Sequence, residues 1–361
     1  MPGFSGTLDG WDSWRRLFRS LPAFAPLVEE ILRREGLPCS GPLTAAGPGT
    51  NAVFRAGNRG EWVVKIFAPP ESGIDSMKDY QVELYGLERA GRLGVPAPAL
   101  RAHGVMEDKY RFAYLIMAFQ PGEEAGHALR GMAEEEKRAF VHRLRLLLDR
   151  LSGAPLEDGG MADLLRARAA ANRSPENRRW AGLSPPLQAE RIAWLREHPV
   201  TEEAYVHGDI CGDNLLLRPD GEPVLIDFAD AVAAPRCYDY PPVLFDLFDF
   251  DPLLIRLFRG NRPPADFAED CLTGLFCTAS AGISWKPPAN GCFPAGWRLC
   301  LPSVLCGRRS SVWQEGRHSR VSGLNPAKVG GILLFCLSYP QGYPLFGTQR
   351  QDCRFFLPAM F

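Results

Sequence analysis

Asp209, Asn214 and Asp227 are the residues whose types and spacing in this 361-residue chain could do chemistry. The first two sit in His207-Gly208-Asp209-Ile210-Cys211-Gly212-Asp213-Asn214, and the third in Leu225-Ile226-Asp227-Phe228. A carboxylate beside an acceptor hydroxyl, with further hard oxygens for Mg²⁺, is what phosphoryl transfer from a nucleotide asks of a protein. Average residue usage produces this set about once in a million start positions, so chance does not account for it. The competing reading is a solvated turn, because Asp and Asn favour turns through their own local hydrogen bonds.

Such side chains need elements that bring them together. Glu203-Ala-Tyr-Val-His207 can enter as a strand and Leu215–Leu217 can leave as one. Pro219-Asp220-Gly221 is a turn, and Pro223–Ile226 returns. A loop followed by a tight hairpin holds Asp209 and Asp227 near one metal.

The pattern resembles the aminoglycoside phosphotransferase family, small-molecule kinases whose motif is His-Gly-Asp, four residues, Asn, then Ile-Asp-Phe. The resemblance implies an α+β, two-lobed, protein-kinase-like fold, with an antiparallel sheet and a helix in the N-lobe and a mainly helical C-lobe. It makes Asp209 the catalytic base and Asn214 and Asp227 ligands of Mg²⁺, with ATP or another nucleoside triphosphate as donor. His207 then holds the loop by hydrogen bonds and is not a base.

A nucleotide-binding lobe of this kind supplies a strand lysine for the phosphates and a helical carboxylate to hold it. Lys65 is the one charge within the apolar run Trp62–Phe67. A helix is expected over Ser76 to Ala90, ended by Gly91 and Gly94-Val-Pro. Glu83 matches the family's lysine partner, with Glu88 the competitor. Before Lys65, the turn around Gly49, Thr50 and Asn51 can fold over phosphates and present backbone N–H groups. It is neither a P-loop nor the full G-x-G-x-x-G of protein kinases. Tyr110–Phe119 reads as a strand running into Gln120-Pro121-Gly122, where the chain crosses between lobes. Backbone groups from Met117 to Phe119 are expected to bond the adenine edge.

Beyond the crossing, Phe140, Val141, Leu144, Leu147, Leu148 and Leu151 repeat at helical spacing, and His142 falls on the polar face. Two further helices are expected, from Met161 to Arg173 and from Leu187 to His198. Asp239 is expected to brace a loop or cap a helix. Asp246, Asp249 and Asp251 lie close together, either lining an acidic substrate cleft or facing solvent.

Residues 1 to 270 carry 32 basic and 40 acidic side chains, against 9 and 2 in the remainder. An acidic catalytic part suits a small-molecule hydroxyl substrate that is cationic and is unsuited to nucleic acid. No export signal is visible and no apolar run reaches membrane-spanning length, so the cytoplasm is the expected location, with no membrane partner. The boundaries expected are 1–119 for the nucleotide lobe, 120–270 for the catalytic lobe and 271–361 for a tail of anomalous composition. Seven of the ten cysteines crowd that tail without any C-x-x-C, which excludes ordinary zinc spacing. Past about Leu272 no sustained helical or alternating pattern is found. The tail is read as an out-of-frame extension, the frame having shifted near Leu275.

Three functions follow. The first is an ATP-dependent O-phosphotransferase acting on a small-molecule hydroxyl, such as an aminoglycoside or other antibiotic, and so a resistance determinant. The second is a metabolic kinase for choline, homoserine or a sugar. The third is a nucleotide-binding protein whose activity is impaired by its disrupted C-terminus.

Overall fold

The computed structural model describes residues 3–278 except 47, 48, 75, 178, 179 and 181–184. An antiparallel sheet of order β1-β2-β3-β5-β4 forms the N-lobe. Its strands are β1 (Thr44–Ala45), β2 (Ala52–Ala56), β3 (Trp62–Ile66), β4 (Leu100–Glu107) and β5 (Arg111–Ala118). Side chains alternate across a strand, so each apolar run serves two faces. Phe112, Tyr114 and Ile116 of β5 join Val64 and Ile66 of β3 in one cluster, while Ala113, Leu115 and Met117 belong to another.

Helices α1 (Trp11–Leu17) and α2 (Leu21–Arg34) cover the first face. Ser20 starts α2 by accepting the Ala23 N–H, and Phe24, Leu27, Val28 and Ile31 form its buried stripe. Helix α3 (Met77–Leu93) covers the second face, burying Tyr80, Val82, Glu83 and Leu87. It runs through Gly91 and is closed by Gly94, whose left-handed φ of 62° a residue with a Cβ adopts only at a cost. The helix is thus a turn longer than its glycine content suggested.

The chain then forms β6 (Glu123–Glu124), α4 (Ala125–Ala128), α5 (Glu134–Gly153), α6 (Gly160–Arg173) and α7 (Pro185–Glu197). The Ala133 N–H donates to Glu136, which starts α5, and Phe140, Val141, Leu144, Leu147 and Leu151 are buried. His142 is exposed. Strands β7 (Ala204–Val206) and β10 (Val232–Ala234) pair, and β8 (Leu215–Leu217) lies between β6 and β9 (Pro223–Leu225). Helices α8 (Pro252–Arg259) and α9 (Pro264–Cys277) complete the described C-lobe.

The two lobes share one apolar cluster, which runs from Phe67 and Val82 through Leu144 to Phe228 and Leu275. Arg89, near the end of α3, is buried, and its guanidinium donates to the carbonyls of Leu151, Ala154 and Pro155. It therefore supplies donors to the Leu151 and Ala154 carbonyls that α5 leaves unpaired at its C-terminus, and to the carbonyl of Pro155 just beyond it.

One expectation is corrected. Helix α9 extends past Leu272, with Phe267, Cys271 and Leu275 buried at intervals of one helical turn. Its repeat is short and half its residues are small or polar, so the pattern was easy to lose. Residues 279–361, and with them the out-of-frame reading and the tail's remaining cysteines, lie outside the described residues.

Candidate active site

Strand parity decides where Lys65 points. Lys65 shares its face of β3 with Val63, on the side of the sheet covered by α3. There Glu83 Oε2 accepts from Lys65 Nζ at 2.6 Å, and both side chains are nearly inaccessible. Glu88, the competing carboxylate, is exposed. Asp227 Oδ1 also accepts from Lys65 Nζ, at 3.0 Å. Burial opposes the ammonium charge, but Asp227 and Glu83 outweigh it and raise the Lys65 pKa. Burial pushes Glu83 up. It also opposes ionisation of Asp227, yet the charge and hydrogen bond of Lys65 hold that carboxyl below its usual range. The lysine is a fixed cation placed between two carboxylates.

The loop that carries Asp209 is built from backbone restraints. Asp239, buried, accepts from the His207 N–H at 3.0 Å and the Gly208 N–H at 2.7 Å. Its bracing role is thus a pair of hydrogen bonds to the turn that carries Asp209. Gly208 has φ 89° and a Cβ there would run into the Asp230 carbonyl, so the turn requires glycine. His207 Nε2 contacts the Ile226 carbonyl at 3.1 Å and Nδ1 faces the Asp209 N–H at 3.4 Å. A carbonyl only accepts and an N–H only donates, so these partners fix a neutral imidazole protonated on Nε2. Burial agrees, drawing the His207 pKa down to about 4.

Asn214 Nδ2 donates to the Asp209 carboxylate at 2.9 Å and to its carbonyl at 3.0 Å. The Asn214 carbonyl accepts from the Ile226 N–H at 3.0 Å, one residue before Asp227. The β8–β9 hairpin, with Leu215 opposite Leu225, therefore sets Asn214 and Asp227 at the same end. Asp227 itself is left-handed, with φ 60° and ψ 73°. Burial, followed by the charges of Asp230, Asp227, Asp246 and Asp239, pushes Asp209 up to about 7. Among these, Asp230 was missed in the sequence. Its place three residues after Asp227 was the available signal.

Other residues singled out in the sequence fall differently. Gly49 and Thr50 are exposed in the β1–β2 turn, where the Thr50 carbonyl accepts from Trp14 Nε1. Asn51 is buried and its Oδ1 accepts from the Ala68 N–H at 3.2 Å, so that side chain braces the turn from inside. Met117 is buried at the end of β5 beside Val63. The Phe119 N–H donates to the Glu61 carbonyl at 2.8 Å, and Arg55 stacks on its ring at 3.6 Å. That amide is spent on extending the sheet and is not free for an adenine edge, a pairing invisible without the register. Asp251 caps α8 by accepting from the Leu253 and Leu254 N–H groups, and it pairs with Lys137 at 2.6 Å. Asp246 accepts from the Gly212 N–H at 2.7 Å, while Asp249 is exposed. Of the three acids, one is a cap and one holds the loop between Asp209 and Asn214.

Among the described residues, no three His, Cys, Asp or Glu side chains converge to hold an ion by themselves. Mg²⁺ does not require it: one or two protein oxygens, with phosphates and water, complete its shell. Asp227 and the Oδ1 end of Asn214, whose Nδ2 is turned to Asp209, are hard donors of the right kind. No helix of the described residues is long and apolar enough to cross a membrane.

Among solved structures, the GDP and kanamycin complex of APH(2″)-IIIa is similar at 16% identity and a TM-score of 0.50, over 69% of this chain and 88% of that one. The GDP complex of a variant of aminoglycoside 2′-phosphotransferase-IIIa is similar at 18% identity and a TM-score of 0.51, over 69% and 86%. These likenesses bear on the fold, which is the two-lobed α+β arrangement. No curated protein sequence matches the chain. The model of the phosphotransferase enzyme family (APH) matches residues 44–271, from β1 into α9 and through every element of the site. The chain belongs to that phosphotransferase family.

Proposed function

We propose that this protein transfers the γ-phosphoryl group of a nucleoside triphosphate, with ATP the expected donor, to a hydroxyl of a small molecule. The observation that carries the reading is the buried Lys65, held by Glu83 and reaching Asp227, opposite a loop in which Asn214 holds Asp209. Lys65 would neutralise donor phosphates, and Glu83 keeps its ammonium in place. Asn214 and Asp227 would hold Mg²⁺, which when bound supplies charge neutralisation on the phosphate oxygens. Asp209 would accept a hydrogen bond from the acceptor hydroxyl, orient it and take its proton as the new bond forms. The GDP complexes of similar proteins support a bound nucleotide. The kanamycin in one of them, with the carboxylates of Asp209, Asp230 and Asp246 grouped here, supports a cationic acceptor such as an aminoglycoside. That acceptor would make the protein an antibiotic-resistance determinant.

The test is an ATP-consumption screen over aminoglycosides, other antibiotics, choline, homoserine and sugars, with Asp209→Ala as control. The expected result is turnover of at least one hydroxyl compound that needs Mg²⁺ and drops by about a thousandfold or more in Asp209→Ala, since general-base catalysis and hydroxyl orientation are both lost. Turnover unchanged by that substitution would remove the mechanism. Nucleotide binding without turnover of any compound would favour the binding-protein reading.

A further inference from the structure

Helix α6 buries Ala162, Leu165 and Ala169, and the adjoining position on that face is a charged one, Arg168. Its guanidinium forks. Nη1 donates to Asp79 Oδ1 at 3.1 Å and Nη2 donates to the Ala229 carbonyl at 2.7 Å. Asp79 lies in the first turn of α3, and Ala229 lies in the short helical turn directly after Asp227.

Those two partners are significant for what lies beside them. Asp79 and Glu83 are four residues apart on α3, hence on one helix face, and Glu83 is the residue that holds Lys65. Asp227 has the left-handed backbone that a residue with a Cβ seldom takes, so its conformation depends on what fixes the chain around it. Its follower Phe228 is wedged against α3, where a Cβ on Gly86 would approach Phe228 Cβ to 2.5 Å. A closed circuit results: Lys65 to Glu83, along α3 to Asp79, through Arg168 to Ala229, and back through Asp227 to Lys65.

We propose that Arg168 is a positioning residue of the phosphoryl-transfer site, fixing the Asp227 turn relative to α3 so that Asp227 meets Mg²⁺ while Glu83 holds Lys65. This role rests on the kinase reading above. Arginine suits it because a planar fork satisfies two acceptors at a set separation, which a lysine ammonium does not reproduce.

The full chain is compared with Arg168→Lys and Arg168→Met by two measurements. Hydrogen exchange of the amides at 227–231 and in the first turns of α3 reads the coupling without any nucleotide. Calorimetric titration with ADP, with and without Mg²⁺, reads the metal-dependent part of affinity. Both variants are expected to exchange those amides about tenfold faster, with α2 and α8 unchanged. Both should lose about tenfold in the Mg²⁺-dependent gain in affinity, Arg168→Met more than Arg168→Lys, while metal-free ADP binding stays within twofold. Unchanged exchange in both variants overturns the inference. Faster exchange with an intact Mg²⁺ gain also overturns it, because Arg168 would then be structural only. If Arg168→Met does not fold, Arg168→Lys carries the same criteria. Failure of the unsubstituted chain to bind ADP with Mg²⁺ refutes the kinase reading and this role together, which separates that result from the other two.

Discussion

His207 is buried beside the Asp209 loop in a form that resists a second proton, and this makes the fold acid-sensitive in a way that can be isolated. Its Nδ1 already faces the Asp209 N–H, and protonation there would set donor against donor in a site without water access. Burial is the largest cause of the lowered pKa, opposed by Asp227 and by the hydrogen bond to Ile226. In the unfolded chain the imidazole titrates near 6.5, and in the folded chain near 4. Between those values the unfolded state binds more protons. The stability contributed by a neutral His207 is therefore complete above about pH 6.5 and is lost as pH falls toward 4. Fully expressed, that gap corresponds to about 3 kcal/mol, of which about 2 kcal/mol should appear between pH 7 and pH 4.5. Denaturant unfolding of the unsubstituted chain and of His207→Gln at both pH values isolates it, because every other titrating group is common to the two proteins. The histidine protein should lose about 2 kcal/mol more than the glutamine variant over that interval. Equal losses would show that His207 protonates alike in the folded and unfolded states, and the assignment of a neutral, Nε2-protonated ring would fall with it.

Three further substitutions test other joints. Gly86→Ala places a methyl group 2.5 Å from Phe228 Cβ and Tyr205 Oη, so it should cost about 1–3 kcal/mol of stability and weaken nucleotide binding, read by thermal unfolding and ADP titration. Gly208→Ala forces φ 89° on a residue with a Cβ and pushes that carbon into the Asp230 carbonyl; displacement of Asp209 should reduce kcat about a hundredfold in the ATP-consumption assay. Asp251→Ala removes two N-cap hydrogen bonds and the Lys137 partner, and should lower stability by about 1–2 kcal/mol while leaving the KM for ATP unchanged.

The candidate site was more legible in the sequence than the scaffold that holds it. Asp209, Asn214 and Asp227 are constrained by hairpin length, and the turn at Pro219-Asp220-Gly221 announces that hairpin. Lys65 and Glu83 were legible only through the family resemblance, because a lysine in an apolar strand and a carboxylate on the next helix are each ordinary taken alone. Helix α2 also carried its signal, the Phe24, Leu27, Val28, Ile31 stripe, but lay outside the reach of the motif. Strand β4 was obscured because Arg101, His103 and Gly104 interrupt its apolar positions and a bulge between Leu100 and Ala102 breaks the alternation. What Phe119 and Asn51 do was hidden for a different reason. Whether a backbone amide or a side-chain oxygen is available to a ligand depends on cross-strand register and loop packing, to which residue type is indifferent.

Arg89 has a consequence for how such a molecule could be controlled. By donating to three carbonyls at the end of α5, it fastens the tail of α3 to the C-lobe, while Phe228 packs beneath the helix at Gly86. Protein kinases are switched by moving the helix that carries the lysine's carboxylate partner. Here that helix is anchored to the lobe it would have to leave, so withdrawing it would cost the Arg89 hydrogen bonds as well as the Lys65–Glu83 pair.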